Sequence, residues 1–321
     1  MGKRMRIFRG SNEVPDARGA AVTLGIFDGV HLGHQAVLKD LLEWSRKLGV
    51  PAGVITFAQH PRKVLQGRAP DLINSLPHRI LHFERAGADF TWVLDFTVEL
   101  SRLSAEEFAR AFLVERLGIR GLALGFDSKF GRDQLGTGSP ELPSLCARLG
   151  FDLRCLDPVL TPDGRPVSST LVREAIWEGR LRDAEAMLGR RVAVLGQVVK
   201  GDARGRRLGY ATANLDLGRE VRPPFGVYAT LTFVGGKPRA SITNVGYRPT
   251  ISGDALHGQK PDLLIETHLF DFQGDLYGQQ LEVHFVEKLR DERRFPDVEA
   301  LVEQIRRDET KARGILKAMG Y

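Results

Sequence analysis

The sequence predicts two domains of different class: an α/β domain built on a parallel sheet over residues 1–188, and an antiparallel β-barrel with a closing helix over residues 189–321. Three observations carry this. In the first half, short apolar runs alternate with helical patterns, which implies a parallel sheet with right-handed crossovers. Near residue 190 the hydrophobic period changes from helical to two. A chain of 321 residues is long enough for two ordinary domains.

Taken in order, residues 20–27, 52–57, 90–95, 119–125 and 153–157 read as strands. Helical patterns lie between them near 35–48, 77–86, 104–117 and 140–149, the third opened by a Ser104/Glu107 capping box. Further helical segments at 169–178 and 181–188 end at Gly189-Arg190-Arg191. Runs of period two follow at 192–199, 227–234, 241–245, 263–270 and 281–286. In the last, Leu281, Val283 and Phe285 face one way while Glu282 and His284 face the other. A helix after Pro296, with Val298, Leu301, Val302 and Ile305 on one face, closes the barrel.

Polar residues with chemical potential collect after strands, where an open parallel sheet holds its ligands. Gly25-Ile26-Phe27-Asp28-Gly29-Val30-His31-Leu32-Gly33-His34 is a strand, a tight glycine loop and a helix start. Free N–H groups and the positive helix end make such a place an anion site. His31 and His34 can donate to phosphate oxygens, and Gly33 lets a polyphosphate approach the backbone. Phe57, His60 and Pro61 follow the second strand, where a strand-to-loop corner would also use them. Asp127, Ser128 and Phe130 follow the fourth. Ser168, Ser169 and Thr170 open a helix, with Arg173 one turn on: an N-cap, and equally a phosphate clamp.

In the second half, Gly201, Arg206 and Gly209 belong to a basic glycine loop, expected to bind ATP phosphates although it is not a Walker A sequence. Thr212 and Asn214, two apart on an extended segment, offer oxygen atoms on one side, which suits a hard Mg²⁺. A third polar stretch runs from Asn244 to Thr250. Glu266 sits inside an apolar strand, where a carboxylate is unusual unless paired or functional.

Composition narrows the classes. Hydrophobic residues make up 42% and charged residues 27%, ordinary for a soluble protein with a sizeable core. The net charge of +6 and pI near 9.4 favour anionic partners, which nucleotide phosphates satisfy. Without a basic run interleaved with aromatics, nucleic acid is the weaker expectation. No apolar run approaches the ~20 residues of a membrane span, and no apolar stretch behind Met1–Arg6 suggests a signal peptide. Two cysteines, Cys146 and Cys155, give neither a disulfide framework nor metal spacing, so a cytoplasmic protein is expected.

The Gly25–His34 string resembles the nucleotidylyltransferase superfamily signature, in the form found in bacterial flavin adenylyltransferases. The Ser168–Arg173 segment matches that family except at Val172, and Ser128 stands where the family usually has Phe. Residues 190–310 resemble riboflavin kinase in the order and spacing of their motifs, with Ala211 in place of the family's proline. Together the halves resemble the bacterial bifunctional riboflavin kinase/FAD synthetases. The resemblance implies a Rossmann-like nucleotidylyltransferase domain and a six-stranded barrel. The first would hold ATP phosphates at Gly25, Phe27, Asp28, Gly29, Gly33, Ser168, Ser169 and Thr170, with His31, His34 and Arg173 catalytic. It would enclose FMN near Phe57, His60, Pro61, Asp127 and Phe130. The second would hold Mg²⁺–ATP at Thr212 and Asn214, use Glu266 as the base for riboflavin's 5′-hydroxyl, and place Arg290 and Phe295 near the isoalloxazine. Two other expectations compete: a flavin or nucleotide sensor with one decayed site, and a nucleotidyltransferase fused to a nucleic-acid-binding barrel.

Overall fold

The computed structural model describes residues 4–200, 210–247 and 263–321. The chain divides into two compact units, Met1–Val172 and Arg173–Tyr321. That division falls before the 188/189 boundary drawn from the change in period. The helices between the two points associate with the barrel: Gly179 lies against Pro224, and Glu185 faces Arg191 at 3.8 Å.

In the first unit the elements run β1 (Arg6–Arg9), β2 (Ala21–Leu24), α1 (Leu32–Leu48), β3 (Ala52–Phe57), α2 (Pro61–Gln66), α3 (Leu76–Ala86), β4 (Phe90–Leu94), α4 (Val98–Arg102), α5 (Ala105–Phe108), β5 (Gly121–Leu124), β6 (Lys129–Phe130), β7 (Leu135–Gly136), α6 (Glu141–Leu149) and β8 (Asp152–Cys155). The main sheet has six strands in the order β1-β4-β3-β2-β5-β8, every neighbouring pair parallel. From β2 the chain winds one way through β3 and β4, then the other way through β5 and β8. The switch point therefore lies between β2 and β5, and a crevice forms at their carboxyl ends.

Both sheet faces are covered. One carries α1 and α3, with Val37, Leu38, Leu41, Trp44, Ile80 and Phe83 buried. The other carries Phe108, Phe112, Leu113, Leu142 and Leu145. Each such side chain removed from water is worth about 1.5–3 kcal/mol.

The expected helix at 104–117 begins with both bonds of its capping box, then loosens into a π-helical turn over Ala109–Val114, where the Glu115 N–H reaches the Arg110 carbonyl at 2.9 Å. Strand β1 gave no apolar signal because it is an edge strand with only Phe8 partly buried. Helix α2 carries its signals openly, with His60 as N-cap, Pro61 at N1 and Gly67 in the left-handed region, but is short.

The second unit runs from the end of α7 (Ser169–Trp177) through α8 (Leu181–Leu188), β9 (Ala193–Val199), β10 (Ala213–Asp216), β11 (Gly226–Val234), β12 (Lys237–Tyr247), β13 (Leu263–Leu269), β14 (Gln280–Arg290) and α9 (Val298–Ala318). The six strands close into an antiparallel barrel, order β10-β13-β12-β11-β14-β9, with β9 pairing back onto β10. Leu281, Val283 and Phe285 face inward as the alternation requires, with at most 1% exposure. Glu282, on the opposite face, is also buried.

Helix α9 packs through Ile305, Ala312, Ile315 and Leu316 against Ala229, Leu231 and Ile242. This face begins later than the sequence suggested: Val298 is 53% exposed. Asp297 caps the helix, its carboxylate accepting from the Ala300 N–H at 2.7 Å.

The barrel interior is partly hydroxylic. Thr230, Thr232, Ser241, Thr243 and Thr267 are all fully buried and linked at 2.8–2.9 Å. Proton counting orients them. The Ser241 hydroxyl donates to the Thr230 carbonyl at 3.0 Å, so its oxygen accepts from Thr230 and Thr232; Thr230 then accepts from Thr243, and Thr243 from Thr267. Such an aligned chain strengthens each link and penalises any gap. Thr243→Val keeps the shape but strands the Thr267 hydroxyl. It should cost about 1–3 kcal/mol, read as a lower midpoint of the barrel's transition in urea; an unchanged midpoint contradicts this orientation.

Candidate functional sites on the sheet and on the barrel

The first site lies at the switch point. After β2 the loop turns sharply, with Phe27 at φ 54° and Val30 at φ 37°. Both are non-glycine residues in the left-handed region, and for a β-branched valine that is a true outlier, costing about 1–3 kcal/mol. Neighbours hold the loop there. Gln35 donates to the Val30 carbonyl at 2.8 Å, and the Ser169 hydroxyl donates to the Asp28 carbonyl at 2.9 Å. The buried Asp28 carboxylate accepts from the main-chain N–H groups of Ile73 at 2.8 Å and Asn74 at 3.1 Å.

Arg79, only 1% exposed, reaches up from α3. Its Nη1 donates to the Ile26 carbonyl at 2.5 Å and the Thr56 hydroxyl at 2.9 Å, and its Nη2 to the Phe57 carbonyl at 3.1 Å. Burial lowers the Arg79 pKa to about 10, with the Asp28 charge opposing that fall. The guanidinium stays charged at neutral pH.

Two helix N-termini meet this loop. Helix α1 starts at Leu32 with His31 at its N-cap, and the His31 and His34 rings stack at 3.7 Å. Helix α7 starts at Ser169, with Ser168 capping it by accepting from the Leu171 N–H at 3.3 Å. Thr170 is exposed in its first turn, and Arg173 is buried one turn on. A Cβ at Gly33 would stand 3.2 Å from the His31 ring and 3.9 Å from the Val167 carbonyl. The glycine thus makes room for a histidine as well as for a ligand. Gly29 has φ 80° and packs against Ile73, while Gly25 is half-buried at the end of β2.

Several sequence-expected contacts differ. Phe27 turns inward, 5.6 Å from Phe83 and 5.2 Å from His34, and the Asp28 carboxylate is spent on main-chain N–H groups. Their side chains help to support the loop. Phe130 lies 6.0 Å edge-to-face from Phe108 in the core, so its ring is not a wall of the crevice. The His60 Nδ1 accepts from the Arg62 N–H at 3.2 Å, a capping role, with Pro61 beside it. Phe57 is half-buried against Phe96, and Asp127 is exposed.

The second site lies on the outer wall of the barrel. Asn214 stands opposite Glu266, and Glu266 opposite Asn244, in one row across β10, β13 and β12. Directly opposed residues share a face. Ile265 and Thr267, either side of Glu266, are fully buried, so the row points outward. Glu266 is therefore half-buried on the wall, not sunk in apolar packing as the strand pattern suggested. Asn244 stood out in the sequence only as the start of a polar stretch; register is what makes it a site residue. Thr212 leads into β10. The oxygen-rich set of Thr212, Asn214 and Glu266 fits a hard divalent cation.

Two residues beyond Glu266 on the same face of β13 is His268, whose Nδ1 lies 2.8 Å from the Ala211 carbonyl. It borders a cleft of about 660 Å³ also lined by Arg239, Asp271 and Phe272. At the end of β14, Arg290 pairs with buried Asp308 at 2.8 Å and lies 5.5 Å over the Phe295 ring. Gly201, Arg206 and Gly209 lie outside the described residues, as does the end of the Asn244–Thr250 stretch from residue 248. Burial pushes the Cys146 thiol up to about 11, which suits a core residue and not a nucleophile.

The FAD synthetase family matches residues 13–171 and the riboflavin kinase family matches residues 188–316. The bifunctional riboflavin kinase/FMN adenylyltransferase of Haemophilus influenzae is 35% identical over 98% of this chain and 100% of its own. The chain belongs to this bifunctional family. The Escherichia coli relative of the same name is 36% identical, covering 96% of this chain and 97% of its own, and that of Bacillus subtilis is 32% identical, covering 91% of each. A crystal structure described as a macrolide-efflux protein from Streptococcus pneumoniae superposes with a TM-score of 0.79 at 29% identity, covering 96% of this chain and 99% of that one. It shows the same chain course. No helix among the described residues is long and apolar enough to cross a membrane.

Removing the Asp28 carboxylate should release two main-chain groups and remove a charge that favours the charged form of Arg79. Asp28→Ala is expected to cost about 1–3 kcal/mol, the range for leaving buried donors without their acceptor. A thermal melt of the first unit within a degree of the parent would contradict this.

Proposed function

We propose that the chain makes both flavin cofactors: riboflavin + ATP → FMN + ADP on the barrel, and FMN + ATP → FAD + pyrophosphate on the sheet domain. The observation that carries this is the pairing, in one full-length family match, of two separate sites. One offers two helix N-termini at a single loop; the other offers an oxygen-rich row on a barrel wall. We set the functional boundary at 188/189. ATP, riboflavin and FMN are the small-molecule substrates, Mg²⁺ the expected metal, and the two unbonded thiols suit a cytoplasmic setting.

At the barrel, Glu266 takes the proton of the riboflavin 5′-hydroxyl as that oxygen attacks the γ-phosphorus and ADP leaves. Thr212 and Asn214 would hold Mg²⁺, which when bound supplies charge neutralisation at the phosphates. The cleft beside His268 gives the nucleotide room, and Arg290 with Phe295 lies at the flavin end. At the sheet, an FMN phosphate oxygen attacks the α-phosphorus of ATP, and the bond to the leaving pyrophosphate breaks. No side-chain nucleophile is needed. His31, His34 and Arg173 neutralise charge on the transferring group, while the N–H groups around Gly25, Gly29 and Gly33 and the N-terminus of α7 at Ser168, Ser169 and Thr170 orient it. Phe57, Pro61 and Asp127 border the flavin end of the crevice.

Incubation with riboflavin, ATP and Mg²⁺, followed by separation of FMN and FAD, tests the whole reading; a chain that forms neither product overturns it. His31→Ala with His34→Ala should abolish FAD formation and leave FMN formation at the parental rate. FAD made at the parental rate by the folded double variant would remove both histidines from the mechanism. Glu266→Gln keeps size and polarity but cannot accept the proton. Kinase turnover should fall by about 10²–10⁴-fold, with adenylylation of supplied FMN unchanged. A turnover within about threefold of the parent excludes a general-base role.

A further inference from the structure

Arg79 stands outside both sets of substrate contacts, yet it ties the loop after β2, which belongs to the sheet site, to the carboxyl end of the neighbouring strand β3. We infer that Arg79 is a positioning residue for adenylyl transfer, holding the strained loop after β2 in its working shape from beneath. This rests on the reading of the sheet domain given above.

Three observations support the inference. First, Arg79 bonds to neighbours that belong to the site: the Ile26 carbonyl at the start of the loop, and the Thr56 hydroxyl and Phe57 carbonyl at the end of β3. Phe57 also borders the proposed flavin end. Second, the next residue after Ile26 is Phe27, and both it and Val30 hold positive φ. Backbone so placed persists only where its surroundings over-determine it. Fixing Ile26 sets where the turn begins, and the Ile73 and Asn74 N–H groups fix Asp28 from the far side. Third, the geometry calls for a guanidinium. One planar fork serves acceptors on β3 and on the loop after β2 at once, which the single point charge of lysine cannot reproduce. A completely buried cation is costly unless it is paired and bonded, and the Asp28 charge lies near enough to favour the charged form. The loop and its support thus form one unit: Asp28 shapes the loop and also stabilises the cation that holds it.

A merely structural arginine would affect folding and leave the chemistry of the folded chain alone. A positioning arginine affects turnover, because a displacement of about 1 Å can cost about 10²-fold in rate. The test uses the full chain with supplied FMN, ATP and Mg²⁺, and two variants: Arg79→Lys, which keeps the charge, and Thr56→Val, which removes one anchor of the fork at nearly constant volume. Riboflavin phosphorylation by the same preparations and a thermal melt run alongside. For Arg79→Lys the expected result is a fall in adenylylation kcat of about 100-fold, with KM for FMN and ATP within about threefold and kinase turnover parental. For Thr56→Val a fall in kcat of about fivefold is expected, the worth of one hydrogen bond. Adenylylation turnover within about twofold of the parent in both folded variants overturns the inference, as does a loss confined to KM. Where Arg79→Lys does not fold, Thr56→Val decides by the same two results. A parental chain that forms no FAD overturns the functional reading and this inference with it; parental FAD formation matched by both variants overturns the inference alone.

Discussion

A buried positive charge lies under the sheet site, and the local structure is arranged around it. Arg79 is almost fully enclosed, so its guanidinium must find acceptors or unfold its surroundings. Its two terminal nitrogens find them on the loop after β2 and at the carboxyl end of β3, while the buried Nε has no partner among the described residues, and the Asp28 charge favours the charged form. That constraint joins helix α3, two adjacent strands and the loop between β2 and α1 into one rigid piece. Strain at Phe27 and Val30 is then carried by a network rather than by the loop alone.

The barrel meets the same problem with different means. Its interior is too small for large apolar side chains at every position, and five hydroxyls fill the space between β11, β12 and β13. Because each donates once, the chain has a single direction, ending on the Thr230 carbonyl. A closed barrel leaves no unpaired edge, so its outer wall is free to present side chains in register. The row of Asn214, Glu266 and Asn244 is a product of that pairing. Closure supplies the rigidity that a phosphoryl-transfer site needs, since such a site works chiefly by positioning.

The two sites differ in how they handle phosphate. The sheet domain brings two helix N-termini, with their partial positive charge, to one loop beside His31 and His34. The barrel relies on oxygen atoms that suit a divalent cation. Membership of one bifunctional family, over nearly the full length of its relatives, joins the two domains in a single chain.

Much of this was legible in the sequence. Alternating apolar runs gave the parallel sheet and period two gave the barrel, because each is a local pattern that backbone geometry imposes on nearby residues. The Ser104/Glu107 capping box is likewise present in the structure. Tertiary structure alone decided the rest. Arg79 belongs to no motif in the sequence; its place is set by packing against the ends of strands distant in sequence. Phe27, Asp28 and Phe130 also make contacts within the fold, because which face of a loop meets the core depends on elements distant in sequence. Asn244 joins Glu266 only through strand register, a relation between segments that no single stretch of sequence contains.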